Sequence, residues 1–124
     1  PLRSDTRIYE AVYHFNLYRY ISQFMASEAQ LYPEFPTGNG KVDLLINFHS
    51  EDYAIEIKSF TNFREYKVAL KQAARYGKQL GLQEINLAVF VDYITDEHRQ
   101  RLEAEYTDEE TAVMVIPTFL AMVK

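Results

Sequence analysis

Three charged side chains, Asp43, Glu56 and Lys58, stand in two segments that are otherwise largely apolar, Lys41–Phe48 and Tyr53–Lys58. Both segments alternate as β-strands do, and His49-Ser50-Glu51-Asp52 between them reads as a hairpin turn. A four-residue turn pairing Phe48 with Tyr53 sets Asp43 opposite Lys58 and diagonal to Glu56. Alternation then collects Val42, Leu44, Ile46, Phe48, Tyr53, Ile55 and Ile57 on one apolar face, which must be core. The other face carries Asp43, Leu45, Asn47, Ala54, Glu56 and Lys58, with its charge at one end. Diagonal neighbours in a hairpin lie about 7–8 Å apart. Two carboxylates at that distance repel unless a cation or the lysine sits between them. A divalent ion, Mg²⁺ or Mn²⁺, is the obvious occupant, because a few hard oxygen ligands that leave water positions open suit it. Lys58 would orient or deprotonate a metal-bound water, or hold a phosphate. The competing reading of the same residues is a surface ion pair, Glu56–Lys58 or Asp43–Lys58, at a hairpin end.

The elements that must position these residues are legible from punctuation and periodicity. Asp5 to Ala29 lacks Gly and Pro and reads as one long helix, capped by Ser4 or Asp5 and carrying aromatics on nearly every side. Leu31–Phe35 reads as a short strand. The cluster Phe35-Pro36-Thr37-Gly38-Asn39-Gly40 is the one loop signal, holding two of the four glycines. Past the hairpin, Asn62 to Leu80 forms a second helix with Gly81 at its C-terminal cap. Ile85–Val91 is an unbroken apolar run, as expected of a strand covered on both faces. Thr95 to Tyr106 forms a third helix, capped by Thr95 or Asp96, and Ala112–Ile116 a last strand ended by Pro117. Helix, strands, helix, strand, helix, strand is the order of an α/β sandwich with a mixed sheet.

A chain of 124 residues is enough for one modest domain and too short for two. The absence of cysteine excludes disulfides, thiolate metal sites and a cysteine nucleophile, and fits a reducing, cytoplasmic setting. No apolar run approaches the roughly 20 residues a membrane helix needs, so no membrane partner is expected. No secretory leader is apparent, and the chain starts at Pro1 without Met, so a piece of a longer protein is expected. The net charge of −5 argues against a polyanionic partner, yet it is unevenly spread. Residues 41–81 hold 7 basic and 5 acidic side chains, a local excess of +2, whereas residues 82–124 hold 3 and 9. A binding face can be positive on an acidic protein.

The residues on the hairpin resemble the PD-(D/E)xK nuclease superfamily, the restriction-endonuclease-like fold, whose motif is an Asp opening one strand and E-x-K on the next. Here Gly40-Lys41-Val42-Asp43 is followed by Glu56-Ile57-Lys58, with Val42 where the family often has proline. The resemblance implies an α-β-β-β-α-β sandwich with a mixed central sheet, over nearly the whole chain. It implies Mg²⁺ (or Mn²⁺) held by Asp43, Glu56 and the carbonyl of Ile57, with Lys58 serving the attacking water. Some branches carry Q-x-x-x-Y on the following helix, matched by Gln72-Ala73-Ala74-Arg75-Tyr76. Others add a metal-ligating Glu from the first helix, for which Glu10 is the candidate and Glu34, just before the loop, the rival. More narrowly, the chain is similar to the nuclease-like domain at the C-terminus of certain bacterial and archaeal AAA-type ATPases. The stretches concerned are Tyr13–Tyr18, Thr37–Asp43 and Leu70–Tyr76. No G-x-x-x-x-G-K-[ST] loop occurs in the 124 residues, so the implied ATPase partner would be another part of the same longer chain.

On the second helix, about 100° per residue gathers Arg64, Lys67, Lys71, Arg75 and Lys78 within about 80° of one another. Ala69, Ala73, Gly77 and Leu80 lie opposite, and Gln72 and Tyr76 fall on the border. A basic stripe beside a metal site is what a phosphodiester substrate needs, and DNA is the expected partner, held by Lys67, Lys71 and Arg75. A solvated helix face is the competing reading. So is an interaction module that binds but does not cleave. The aromatic excess and acidic last third fit a third reading, a domain that pairs with a second copy. Changing Lys67, Lys71 and Arg75 together to Ala should weaken duplex DNA binding and flatten its salt dependence. The slope of log K against log salt should fall by about 0.9 for each lost phosphate contact. An unchanged slope in a salt titration would assign the stripe to solvent.

Overall fold

The computed structural model describes residue 12 and residues 15–23 and 28–121. A helix, α1, covers residues 15–23. It is followed by β1 (Ala29–Pro36), β2 (Lys41–Phe48), β3 (Glu51–Ser59), α2 (Phe63–Gln79), β4 (Glu84–Val91), α3 (Asp96–Leu102), β5 (Tyr106–Thr107) and β6 (Met114–Ala121). The six strands form one mixed sheet in the order β1-β2-β3-β4-β6-β5. The first three are an antiparallel meander, β3, β4 and β6 run parallel, and β5 returns antiparallel on β6. This is the expected α/β class with a mixed sheet.

The long first helix does not reach Ala29. Ala29 opens β1 opposite Phe48, so the strand is longer than Leu31–Phe35 and takes the residues assigned to the helix end. Two of the later bounds also move. The third helix stops at Leu102, where the Tyr66 hydroxyl donates to the Leu102 carbonyl at 2.6 Å, and Tyr106 belongs to β5. The last strand does not end at Pro117 but runs through it to Ala121. Proline is tolerated because of where its nitrogen points. Phe119, two residues on, aims its N–H and its C=O out of the sheet toward α3. There Glu103 accepts the N–H at 2.7 Å and Arg99 donates to the carbonyl at 2.5 Å. Pro117 shares that orientation, so no ladder bond is lost.

α2 is fixed at both ends by its own sequence. The Asn62 side chain accepts from the Glu65 N–H at 2.8 Å. At the other end Gly81 takes φ +75°, its N–H bonds the Lys78 carbonyl, and Leu82 N–H bonds the Gly77 carbonyl. The helix buries Tyr66, Ala69, Leu70, Ala73, Ala74 and Gly77 against a sheet face of Leu45, Ala54, Ile85, Leu87, Val89, Val115 and Phe119. The opposite sheet face buries Leu44, Ile46 and Ile57, as expected, but Val42, expected beside them, packs in the core cluster with α2, and Tyr53 is 41% exposed and is not core. Small residues let helix and sheet approach. A Cβ built at Gly77 lies 2.9 Å from a methyl of Val113 and 3.5 Å from Ile85. Gly77→Val should therefore cost about 1–3 kcal/mol by overpacking, read as a lower urea midpoint with the slope retained. An unchanged midpoint would mean that this contact is slack.

Candidate functional site

The hairpin closes more tightly than a four-residue turn. His49 and Ser50 alone form the turn, with φ of +52° and +67°, and the ladder pairs Phe48 with Glu51 and Leu44 with Ile55. Two successive positive φ values give the twist that suits a two-residue hairpin. A His-Ser pair lacks the glycine that announces such a turn. The register therefore moves by two residues. A shift of two leaves the alternation along each strand unchanged, but the partner of Asp43 changes from Lys58 to Glu56.

The paired ladder stops at Leu44↔Ile55, one step short of these residues. Beyond it the carboxylates take over the backbone bonding. The Asp43 N–H donates to Glu56 Oε1 at 3.0 Å, and the Ile57 N–H donates to Asp43 Oδ2 at 2.7 Å. The two carboxyls stand close enough for the charge of Asp43 to bear on Glu56. Glu56 is 3% exposed. Burial first, then the charge and hydrogen bond of Asp43, push its carboxyl from the usual 4.5 up to about 8, against a smaller opposing pull from Lys58. Asp43 and Lys58 are half-buried, with Lys58 on the Glu56 face of β3.

The loop before β2 is anchored to α2. Thr37, itself buried, donates from Oγ1 to Gln79 Oε1 at 2.5 Å, and its N–H bonds the Gly40 carbonyl at 2.9 Å. Gly40 lies against Tyr76, such that a Cβ there would stand 2.8 Å from the hydroxyl oxygen. Gln72 donates to that hydroxyl at 3.0 Å. Gln72 and Tyr76 thus act together, on the border of α2 as expected, and hold the loop three residues ahead of Asp43. The five basic residues of the stripe are all exposed, with the Lys67 ammonium 4.9 Å above the Phe63 ring.

Among the described residues no additional metal ligand stands beside the pair. Glu10 lies outside the described residues. Glu34 sits level with Asp43 in the β1–β2 register, between the pairs Pro33↔Leu44 and Phe35↔Val42, but its φ is +51° and it is exposed. Among the described residues no group of three acidic, His or Cys side chains could hold an ion. Among the described residues the acidic donors at the site are two carboxylates. That number suits Mg²⁺, which keeps several waters and is commonly bound through one or two carboxylates plus substrate oxygens. A cation between Asp43 and Glu56 would take the place of the Glu56 proton. No motif or periodicity pointed to the Thr37–Gln79 bond, which joins residues 42 apart.

Comparisons of the chain with protein-family models, curated proteins and solved structures find no match. Among the described residues no helix is long and apolar enough to cross a membrane.

The raised pKa of Glu56 has a definite sign in stability. With no metal bound, folding favours the protonated acid. Its stabilising contribution is complete below the unfolded value of 4.5 and is lost as pH rises to about 8. In EDTA the melting temperature should decline across that window, and Glu56→Gln, which mimics the protonated acid, should flatten the decline. Parent and variant profiles of equal slope would contradict it.

Proposed function

We propose that this domain hydrolyses phosphodiester bonds in nucleic acid with Mg²⁺ or Mn²⁺ held by Asp43 and Glu56. The observation that carries the reading is the buried Glu56 carboxyl beside half-buried Asp43 at the end of the β2–β3 pairing, with Lys58 on the Glu56 face of β3. Its support in the fold is the order of an antiparallel meander, a helix and a parallel strand, in keeping with a restriction-endonuclease-like sandwich. When bound, the ion would polarise a phosphoryl oxygen and lower the pKa of a coordinated water. The chain's own residues do the rest. Asp43 and Glu56 are oriented by the Ile57 and Asp43 N–H groups, so their oxygens are fixed before a substrate arrives. Lys58 offers an ammonium to a water or to developing negative charge on the phosphate. Gln72 and Tyr76 keep the Gly40 loop in place, and Lys67, Lys71 and Arg75 offer positive charge along the outer face of α2.

A second reading has an observation of its own. A buried Glu56 that keeps its proton near neutral pH, with no third ligand beside the pair among the described residues, fits an idle site in a binding or accessory module. The two readings separate on activity. With Mg²⁺ or Mn²⁺, the parent should cleave DNA, and Asp43→Asn and Lys58→Ala should each lower the rate by roughly 10²–10⁴ while binding survives. Added metal should raise the melting temperature of the parent and not of Asp43→Asn, because a ligand of the folded state shifts the folding equilibrium. A parent with neither cleavage nor a metal-dependent thermal shift would leave the accessory module.

A further inference from the structure

A cleft of about 450 Å³ opens between α2 and the segment joining α3 to β5. It lies on the opposite flank of α2 from Gln72 and Tyr76, by about 100° per residue. Its walls are Phe63, Tyr66, Leu70 and Tyr106, and Phe63 is 54% exposed. Its rim carries Lys67, Lys71 and Arg101 against one acid, Glu105. On a chain with a net charge of −5, an apolar, aromatic-walled cleft with three cations at its mouth is selective for a ligand that is flat and apolar in one part and anionic in another.

We propose that this cleft receives an unpaired nucleobase, so that the domain binds single-stranded nucleic acid with its backbone along α2. The proposal rests on the nucleic-acid part of the reading above and is independent of cleavage. Two of the rim cations, Lys67 and Lys71, also belong to the exposed row that continues through Arg75 and Lys78. Residues four apart are spaced about 6 Å along the helix axis, a regular series that matches a linear polyanion better than the scattered carboxylates of an acidic peptide. Base stacking on aromatic rings beside a basic track is the general means of holding single strands without sequence preference. Duplex DNA keeps its bases stacked and could offer the cleft nothing, while still touching the row of cations.

Fluorescence anisotropy in EDTA tests this with three probes of equal length: an oligothymidylate, its abasic counterpart with the same phosphates, and a duplex. The oligothymidylate should bind more tightly than the abasic strand. Phe63→Ala, at an exposed position, should weaken it by about 5- to 100-fold, the worth of a stacked base, and leave duplex binding unchanged. Ala104→Trp, which fills the cleft from its rim without removing a contact, should act likewise. Equal affinity for the thymidylate and abasic strands, or indifference of thymidylate binding to both variants, would overturn the proposal. So would an acidic aromatic peptide whose binding responds to both variants while the oligonucleotide's does not. Single-strand binding that follows these expectations in a protein that cleaves nothing would retain the cleft and reject the nuclease reading. Cleavage without base-dependent binding would do the reverse.

Discussion

Two backbone N–H groups, those of Asp43 and Ile57, end on carboxylate oxygens instead of on the strand facing them. Much of the neighbourhood follows from that substitution. A ladder completed to the end of β2 would need no acidic side chains, and would leave no opening between the strands. Because the pairing stops at Leu44↔Ile55, the two strands can part, and each exposed donor needs an acceptor that the protein must bury with it. Burial and a neighbouring carboxyl disfavour the charged form of Glu56. Its pKa is accordingly pushed up to about 8. The end of the strand pairing, the acidic residues and the raised pKa of Glu56 are one physical fact. The Gly40 loop completes it, since Tyr76 needs the bare glycine to lie where it does, and Thr37 is tied to Gln79.

The other side of the molecule solves a different problem, the open edge of β6. β5 pairs only with Met114 and Val115 and leaves the rest of that strand uncovered. α3 closes the gap with an ion pair in place of a strand. Arg99 and Glu103, 3.1 Å apart, give Phe119 a donor for its carbonyl and an acceptor for its N–H. A charged plug of this kind blocks strand addition by another chain, and it needs only a short helix. α3 has seven residues and none is buried. Its brevity is also what leaves room between α2 and the return to β5, so the cleft is the space a longer helix would have filled.

Much of this was legible in the sequence, and the parts that were not have specific causes. The faces of Leu44, Leu45, Ile46, Ala54 and Ile57 follow from alternation, which a register error of two residues does not disturb, whereas Val42 joins the core under α2 and Tyr53 stays exposed. The same error displaced the partner of Asp43, because His49-Ser50 forms a glycine-free turn that no dipeptide signal marks. α2 was readable to the residue at its start, where Asn62 caps Glu65, and at its end, where Gly81 adopts positive φ. Its buried face of Ala69, Ala73 and Gly77 followed from helical spacing. Pro117 misled because its tolerance depends on which way one nitrogen faces, a property set by α3. The burial of Glu56 was equally out of reach: E-x-K identifies the residue type, whereas its 3% exposure is set by tertiary packing.

The energetics of the carboxyl pair bear on why such an arrangement is kept. Replacing a buried charged group and its partners by apolar residues of similar volume is often neutral or stabilising. A domain serving only as scaffold would be as well held by a completed ladder with Leu or Val at both positions, like the neighbouring pair Leu45↔Ala54. Instead the chain retains two acids that are satisfied by backbone donors yet remain one positive charge short. Lys58, on the same face and half-buried, lowers that deficit only in part, since its pull on Glu56 is outweighed by burial and by Asp43. With no cation present such a site holds a proton on Glu56. A cation held there would have to displace that proton, so its binding would be coupled to proton release and would strengthen as pH rises toward the point at which the proton would leave unaided.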